Sequence, residues 1–425
     1  MEEQKESQSP TRTTRRTFLR NAGLATAGVL VGDLARSSTY SIAAPRVLGA
    51  NDRINWGIIG PGGRGTHLMT RLLAMAKANE ANLQFTAVCD VYQKRMDSAK
   101  AATGGKAYHN YKELLADKDI DVVLIATPEH WHAQMAMDAM EAGKDIYLEK
   151  PMTRYLDEAK KLAACVQRTK RVMQVGAQLT EEPRWKKAHE LLPTIGKVVA
   201  CETSYCRNSK EGEWNYPIDA DATPDNLDWK AWLGPAKQRP FSTERYFRWR
   251  KYWDYSSGIM GDLLPHRIHN LVIALGAEFP TRVCCTGGIY VQKDRDVPDE
   301  VHVLADFPSG YTMSAVGSTC NERGPEPMIR GNKATMLLGS ATEIKINPER
   351  PWVDEVEASS ETVEAVPDTE KAHFLNFMDC VRSRAMPTCG LDVAYPVMVT
   401  VALAEMSYRE NKMMRFDPVK KEIID

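Results

Sequence analysis

The sequence predicts an α/β protein in two parts: a doubly wound parallel sheet, then an α+β domain on a mostly antiparallel sheet. Three observations predict it. From Arg53 onward, short apolar runs alternate with helical stretches. A glycine-rich turn joins the first such pair. Beyond Arg282, strand-like runs follow one another without helices between them.

Taken in order, residues 1–50 are an address label rather than part of the fold. Thr14-Arg15-Arg16-Thr17-Phe18-Leu19-Arg20 precedes a weakly apolar stretch at 22–31, and Ala43 and Ala44 offer a cleavage site. Basic, apolar and small-residue regions in that order resemble a twin-arginine export signal. This implies the twin-arginine machinery as a partner, a periplasmic or otherwise exported destination, and no stable membrane anchor after processing. Strands at 54–59, 85–89, 122–126, 146–148 and 172–175 alternate with helices at 66–77, 131–142 and 157–169, giving a first domain over 51–178. The run 122–126 is apolar throughout, as a strand buried on both faces should be. The second domain, 179–425, opens with a helix at 183–192 and an alternating strand at 198–205. An aromatic, turn-rich stretch spans 214–255, and a helix covers 265–275. Strands follow at 282–291, 301–307, 311–316 and 335–338, then an acidic loop at 349–368. Helices at 371–383 and 394–411 close the chain and are expected to pack back near the first domain.

Bulk properties narrow the function. The 55 Lys and Arg balance 56 Asp and Glu, so no nucleic-acid partner is indicated. Nine cysteines without a CxxC pair read as free thiols rather than a disulfide framework.

The first chemical motif is Gly60-Pro61-Gly62-Gly63-Arg64-Gly65, between a strand and a helix. Gly60 permits the tight turn, Gly62 lets backbone approach a pyrophosphate, and Gly65 lets helix and strand pack closely. Asp90 ends the second strand and can accept hydrogen bonds from ribose hydroxyls, which favours NAD. Lys94 and Arg95 follow closely and could receive a 2′-phosphate, so NADP stays open. Thr127-Pro128-Glu129-His130-Trp131-His132 follows the next sheet strand. It is read as a loop and helix cap near the nicotinamide ribose, with no metal assigned to its histidines. In Lys144–Thr153 (KDIYLEKPMT), a strand runs into Glu149-Lys150-Pro151. Lys150 is thereby held at a strand's C-terminal end, the edge where ligands bind in open parallel sheets.

The second domain contributes Asp262, His266 and His269 at spacing i, i+4, i+7. On one helix they share a face, although Pro265 fits best in a first turn. A histidine accepts an alcohol proton near neutral pH, and a carboxylate beside it orients the ring or binds a hydroxyl. Trp249, Tyr252, Trp253 and Tyr255 lie nearby in sequence. They serve either as core or as stacking faces for a sugar ring, and Trp253, Tyr255 and His269 are the candidate substrate contacts.

Together these motifs resemble the glucose–fructose oxidoreductase/inositol dehydrogenase family (Gfo/Idh/MocA), over about residues 51–418. The resemblance implies a Rossmann domain, a second domain with a large open sheet, and a homodimer or homotetramer. It matches Lys150 and His266 to the family's catalytic lysine and histidine and Asp262 to its substrate-side carboxylate, and it puts Glu149 and Lys150 at the cofactor. Glu129 and His269 depart from the family pattern. The expected activity is NAD(P)-dependent hydride transfer with a secondary alcohol of a carbohydrate or cyclitol, the cofactor tightly bound. One alternative is an exported NAD-dependent glycoside hydrolase or lyase that oxidises its sugar transiently. Another is a non-catalytic nucleotide-binding partner protein.

Overall fold

The computed structural model describes residues 52–424 together with Gly49; the arginine motif at 14–20, the apolar stretch at 22–31 and the alanines at 43 and 44 lie outside the described residues. The first half runs β1 (Ile54–Ile59), α1 (Gly63–Lys77), β2 (Leu83–Cys89), α2 (Gln93–Thr103), β3 (Lys106–Tyr108), α3 (Tyr111–Ala116), β4 (Val122–Ile125), α4 (Glu129–Glu141), β5 (Asp145–Leu148), α5 (Leu156–Thr169) and β6 (Met173–Val175). These strands form a six-stranded sheet in the order β3-β2-β1-β4-β5-β6. The pairs are parallel. Three elements between Asp90 and Val122 escape the sequence pattern because each buries at most two residues, Met96 and Ala99 on α2 and the adjacent Leu114 and Leu115 on α3, too few to set a period.

The second half runs α6 (Pro183–Leu191), β7 (Val198–Cys206), α7 (Trp229–Leu233), α8 (Thr243–Phe247), α9 (Ile259–Asp262), α10 (Pro265–Leu275), β8 (Arg282–Gly288), β9 (Glu300–Asp306), β10 (Thr312–Ser318), β11 (Met328–Gly331), β12 (Ala334–Leu337), β13 (Glu343–Pro348), β14 (Ser359–Thr362), α11 (Thr369–Ser383), α12 (Leu391–Glu410), β15 (Met414–Asp417) and β16 (Glu422–Ile424). Its ten-stranded sheet is ordered β14-β13-β12-β11-β7-β10-β9-β8-β15-β16. The β7–β10 pair is parallel and the rest antiparallel. The expected α/β architecture is therefore the one observed. Two details differ. The expected acidic loop carries β14. The strand expected to reach Val291 stops at Gly288, because the Asp299 carboxylate gathers the N–H groups of Tyr290, Val291 and Gln292 at 2.7–2.8 Å and curls the chain.

Alternation explains how the parallel sheet is covered on both sides. Ile54, Trp56, Ile58, Leu124 and Tyr147 pack with α1 and the α11 residues Phe374 and Phe377. Ile59, Val123, Ile125 and Leu148 face the opposite way, into the larger core shared with the second domain. The return of α11 to the first domain is thus explicit: Phe377 meets Trp56 edge-on at 5.5 Å, and Phe374 sits 5.1 Å from Tyr147. Burying each phenylalanine contributes roughly 1.5–3 kcal/mol. The ten-stranded sheet has one face covered by α10 and α12 and the other exposed, as with His302 and Leu304 on β9. Among the described residues no helix is long and apolar enough to cross a membrane.

The register is what positions the site. Ile59 pairs with Cys89 on one side and Ile125 on the other, and Ile125 pairs with Leu148. The C-terminal ends of β1, β2, β4 and β5 are level, so Gly60, Asp90, Thr127 and Lys150 emerge at one edge, across the point where strand order reverses.

Candidate active site

At that edge the glycine loop leaves an open floor. Gly60 has φ +83°, a conformation that disfavours other residues. A Cβ on Gly65 would collide with the Gly60 carbonyl, so α1 lies directly against the loop. Nothing stands within 4 Å of a Cβ on Gly63. Helix α1 starts without a side-chain cap or an acid in its first turn, which leaves its N–H groups to an anion. Arg64 turns aside: its Nε donates to Glu149 at 2.8 Å, and its terminal amino group to Glu370 on α11 at 2.8 Å. It braces the loop against β5 and the C-terminal helix, and it draws Glu149 into the same brace.

Asp90 lines the same cleft, with Oδ1 accepting from the Tyr92 backbone at 2.8 Å. Burial pushes its carboxyl up despite the nearby Arg95. Lys94 is engaged by Asp219 at 2.7 Å and Asp221 at 3.0 Å, while Arg95 lies over the Tyr246 ring and donates to its hydroxyl. Thr127 presents a buried hydroxyl without a protein partner among the described residues. Pro128 caps α4. His132 joins two loops, its Nδ1 2.7 Å from the Pro151 carbonyl and its Nε2 3.0 Å from the Thr127 carbonyl. Carbonyls only accept, so a neutral ring donates to one and merely touches the other. His130 is turned toward the second domain, against the Trp232 carbonyl at 3.0 Å. The cleft encloses about 1310 Å³. Its uncapped helix, open glycine, buried acid and orphan hydroxyl fit a dinucleotide.

At the other end, Lys150 and Asp262 meet. Lys150 Nζ donates to Asp262 Oδ1 at 2.7 Å and to its backbone carbonyl at 2.6 Å. Arg250 Nε donates to the same Oδ1 at 2.8 Å, and the Trp214 indole N–H to Oδ2 at 3.0 Å. Arg207 approaches Oδ2 at 3.6 Å. Burial opposes the charge on Asp262, but Arg250 and Lys150 overcome it and hold the carboxyl well below the usual carboxylate range. His266 lines the cleft, stacked on Tyr205 at 5.5 Å, and no protein hydrogen bond holds its ring among the described residues. Burial, then the Lys150 charge, keep it well below 6.5 and therefore neutral. Glu129 is buried behind this group, bonded to the Ser256 and Ser257 hydroxyls at 2.6 and 3.1 Å. No trio of His, Cys, Asp or Glu suited to a metal occurs among the described residues.

Three expected substrate contacts do not reach the cleft. Helix α9 ends at Asp262 and α10 begins at Pro265, so the i, i+4, i+7 count does not map onto one face. His269 is buried, with Nδ1 2.6 Å from the Pro265 carbonyl of its own helix. Tyr255 is fully buried among Trp232, Tyr246 and Leu227. Trp253 packs against Tyr408 and Arg409. The cleft takes Tyr205, Tyr216 and Trp249 instead. Sequence reasoning also missed Trp214, Arg207 and Arg250. The alternation of cations and aromatics from Arg248 to Tyr252 was the available signal for Arg250.

The buried histidines give a stability prediction. His130 and His269 are held near 4 by burial. Between about 6.5 and about 4 the unfolded chain binds more protons than the folded one, so stability falls as pH drops through this window. The loss is on the order of 2 kcal/mol per histidine at about pH 5. Thermal melting at about pH 5 is expected below that at about pH 7, and an equal or higher melting temperature would contradict it.

A family model described as an oxidoreductase family, NAD-binding Rossmann fold, matches residues 54–177, and one described as an oxidoreductase family C-terminal alpha/beta domain matches 212–425. A glycosyl hydrolase family 109 protein of Shewanella baltica is 32% identical over 177 residues, 37% of this chain and 38% of its own. An alpha-N-acetylgalactosaminidase of Shewanella oneidensis is 31% identical over the same length and shares. The chain therefore matches well under half the length of these curated relatives. A levoglucosan dehydrogenase solved with NADH and levoglucosan superposes with a TM-score of 0.65 at 20% identity, over 88% of this chain and 99% of that one.

Proposed function

Because this chain belongs to the Gfo/Idh/MocA family of NAD-binding oxidoreductases, we propose that it transfers hydride between NAD and a secondary alcohol of a sugar or cyclitol. The observation that carries this reading is the single Asp262 oxygen that takes both Lys150 and Arg250, beside the neutral, unbonded ring of His266. The sugar ligand of the levoglucosan dehydrogenase supports the substrate class.

Bound in the glycine-loop cleft, NAD would supply the hydride acceptor. Lys150 Nζ keeps one N–H beyond its two bonds to Asp262, and that N–H donates to the alcohol oxygen and offsets the negative charge growing there. His266 takes the hydroxyl proton on a ring nitrogen. Asp262 stays ionised, favours the imidazolium that results and keeps Lys150 in place. Trp214 and Arg250 lock Asp262 in turn.

The low position of His266 sets the pH dependence. Below its folded pKa the ring is already protonated and accepts nothing. Because that pKa lies well under 6.5, kcat/KM is expected to stay level from about pH 8 to about pH 6 and to fall only on further acidification. An acid limb with its midpoint at or above about 6.5 would contradict this assignment.

A second reading has its own observation, the names of the two Shewanella relatives. Oxidation is then transient: the ketone acidifies the neighbouring C–H, the glycosidic group is eliminated, water adds and hydride returns, so no NADH accumulates. Incubating NAD-loaded protein with free sugars, cyclitols and aryl glycosides separates the two. Ketone with NADH supports the first reading, and released aglycone without net NADH supports the second. Neither product across the panel sinks both.

We further propose export of the folded, NAD-loaded chain by the twin-arginine route, supported by the order of leader regions, and self-assembly into a dimer or tetramer through the open sheet face. Cell fractionation with an intact or Arg15→Lys/Arg16→Lys leader tests the first, and light scattering the second. A wholly cytoplasmic intact chain, or a monomer at micromolar concentration, would contradict them.

A further inference from the structure

We propose that the substrate is an acidic sugar and that Arg250 binds its carboxylate. The inference rests on the oxidoreductase reading for the site but on different atoms. Arg250 is fixed by its Nε–H on Asp262 at 2.8 Å and by the Trp249 ring 4.1 Å away. Its two terminal amino groups have no protein acceptor among the described residues, and the side chain lines the cleft. A guanidinium held along one edge and stacked on an indole presents its other edge as a rigid fork, the geometry that matches two carboxylate oxygens.

The charge around the fork points the same way. Lys150, Arg250 and Arg207 converge on Asp262. Among the described residues, the carboxylates in ion pairs with them are Asp262 and Glu213, which is 3.0 Å from Arg207. Glu129 lies behind, its oxygens taken by the Ser256 and Ser257 hydroxyls and the Ser257 N–H, and His266 is neutral. In these ion pairs three cations face two carboxylates, an excess of one positive charge at the cleft wall. A neutral sugar would offer the fork hydroxyl oxygens but leave its charge uncompensated, whereas a carboxylate answers both the N–H groups and the charge. Arg250 and Lys150 donate to one and the same oxygen, so a single sugar ring spans the anion site and the reacting alcohol. If Arg250 only held Asp262, acid and neutral forms of one sugar would bind alike.

The test uses the full-length, NAD-saturated protein with D-glucuronate and D-galacturonate, each compared with its C6 primary amide, by calorimetry and by NADH formation. The acid is expected to bind at least about tenfold tighter than the amide. In Arg250→Gln that ratio should collapse to under about threefold, whatever the absolute loss. Equal binding of acid and amide, or an intact ratio in Arg250→Gln, overturns the proposal. If Arg250→Gln does not fold, Arg250→Lys serves: it keeps the charge and loses the fork, and an undiminished acid-to-amide ratio there also overturns it. Hexose 6-phosphates enter the same titration, and tighter binding of phosphate than of uronate overturns the carboxylate assignment. Acid-selective binding without NADH from any ligand keeps this proposal and sinks the oxidoreductase reading. NADH formed equally from acid and amide does the reverse.

Discussion

Replacing Lys150 with methionine is expected to lower kcat/KM for sugar oxidation by roughly 10²–10³-fold while leaving NAD binding within about threefold of wild type. Methionine has nearly the same length and tolerates the burial of this position, where the lysine side chain is 10% exposed. What disappears is the ammonium, and with it the donor at the alcohol oxygen. Asp262 does not collapse, because Arg250 and Trp214 still hold both its oxygens. The loss should therefore fall on the chemical step and not on folding. Steady-state kinetics with calorimetric NAD titration reads the two separately. Full turnover in Lys150→Met would remove Lys150 from the mechanism.

Glu405→Ala is expected to carry the largest stability cost, about 3–5 kcal/mol, the range for breaking a buried ion pair on one side. Arg154 follows the Lys150 loop, and its side chain is fully buried. Glu405 on α12 accepts from both its amino groups, at 2.5 and 2.9 Å; the Trp253 carbonyl accepts a further bond at 2.9 Å. Without Glu405 a buried guanidinium keeps one carbonyl for partner. A cost of this size is a large share of the roughly 5–15 kcal/mol that keeps a domain folded. Denaturant unfolding should show it directly, and the double replacement Arg154→Leu/Glu405→Leu should recover much of the loss, since it removes the orphan charge. A change under about 1 kcal/mol in Glu405→Ala would mean that Arg154 is solvated or satisfied some other way.

Much of this arrangement was legible in the sequence because it depends on strand ends. Gly60, Asp90, Thr127 and Lys150 each follow an apolar run, and parallel pairing alone brings such positions to one edge. Asp262 and His266 were legible as chemistry, and Pro265 marked a helix start between them; His269 was misjudged because it lies on the buried face of α10, its ring against the Pro265 carbonyl. Trp214 and Arg250 sit in irregular chain without a periodic pattern. Trp214 adopts φ +66°, a strained conformation for a bulky residue, and no residue preference announces it. Elements α2, β3 and α3 were missed for a related reason: short, polar segments at the rim of a sheet carry little hydrophobic period.

The most direct test is stopped-flow absorbance of the reduced nicotinamide after mixing NAD-saturated protein with secondary-alcohol sugars, neutral and acidic, in wild type and Lys150→Met. A single-turnover rise in the wild type, lost in Lys150→Met although NAD remains bound, is the predicted result. No rise with any sugar from NAD-loaded wild type, or an equal rise in Lys150→Met, would contradict hydride transfer at the Lys150–Asp262–His266 site.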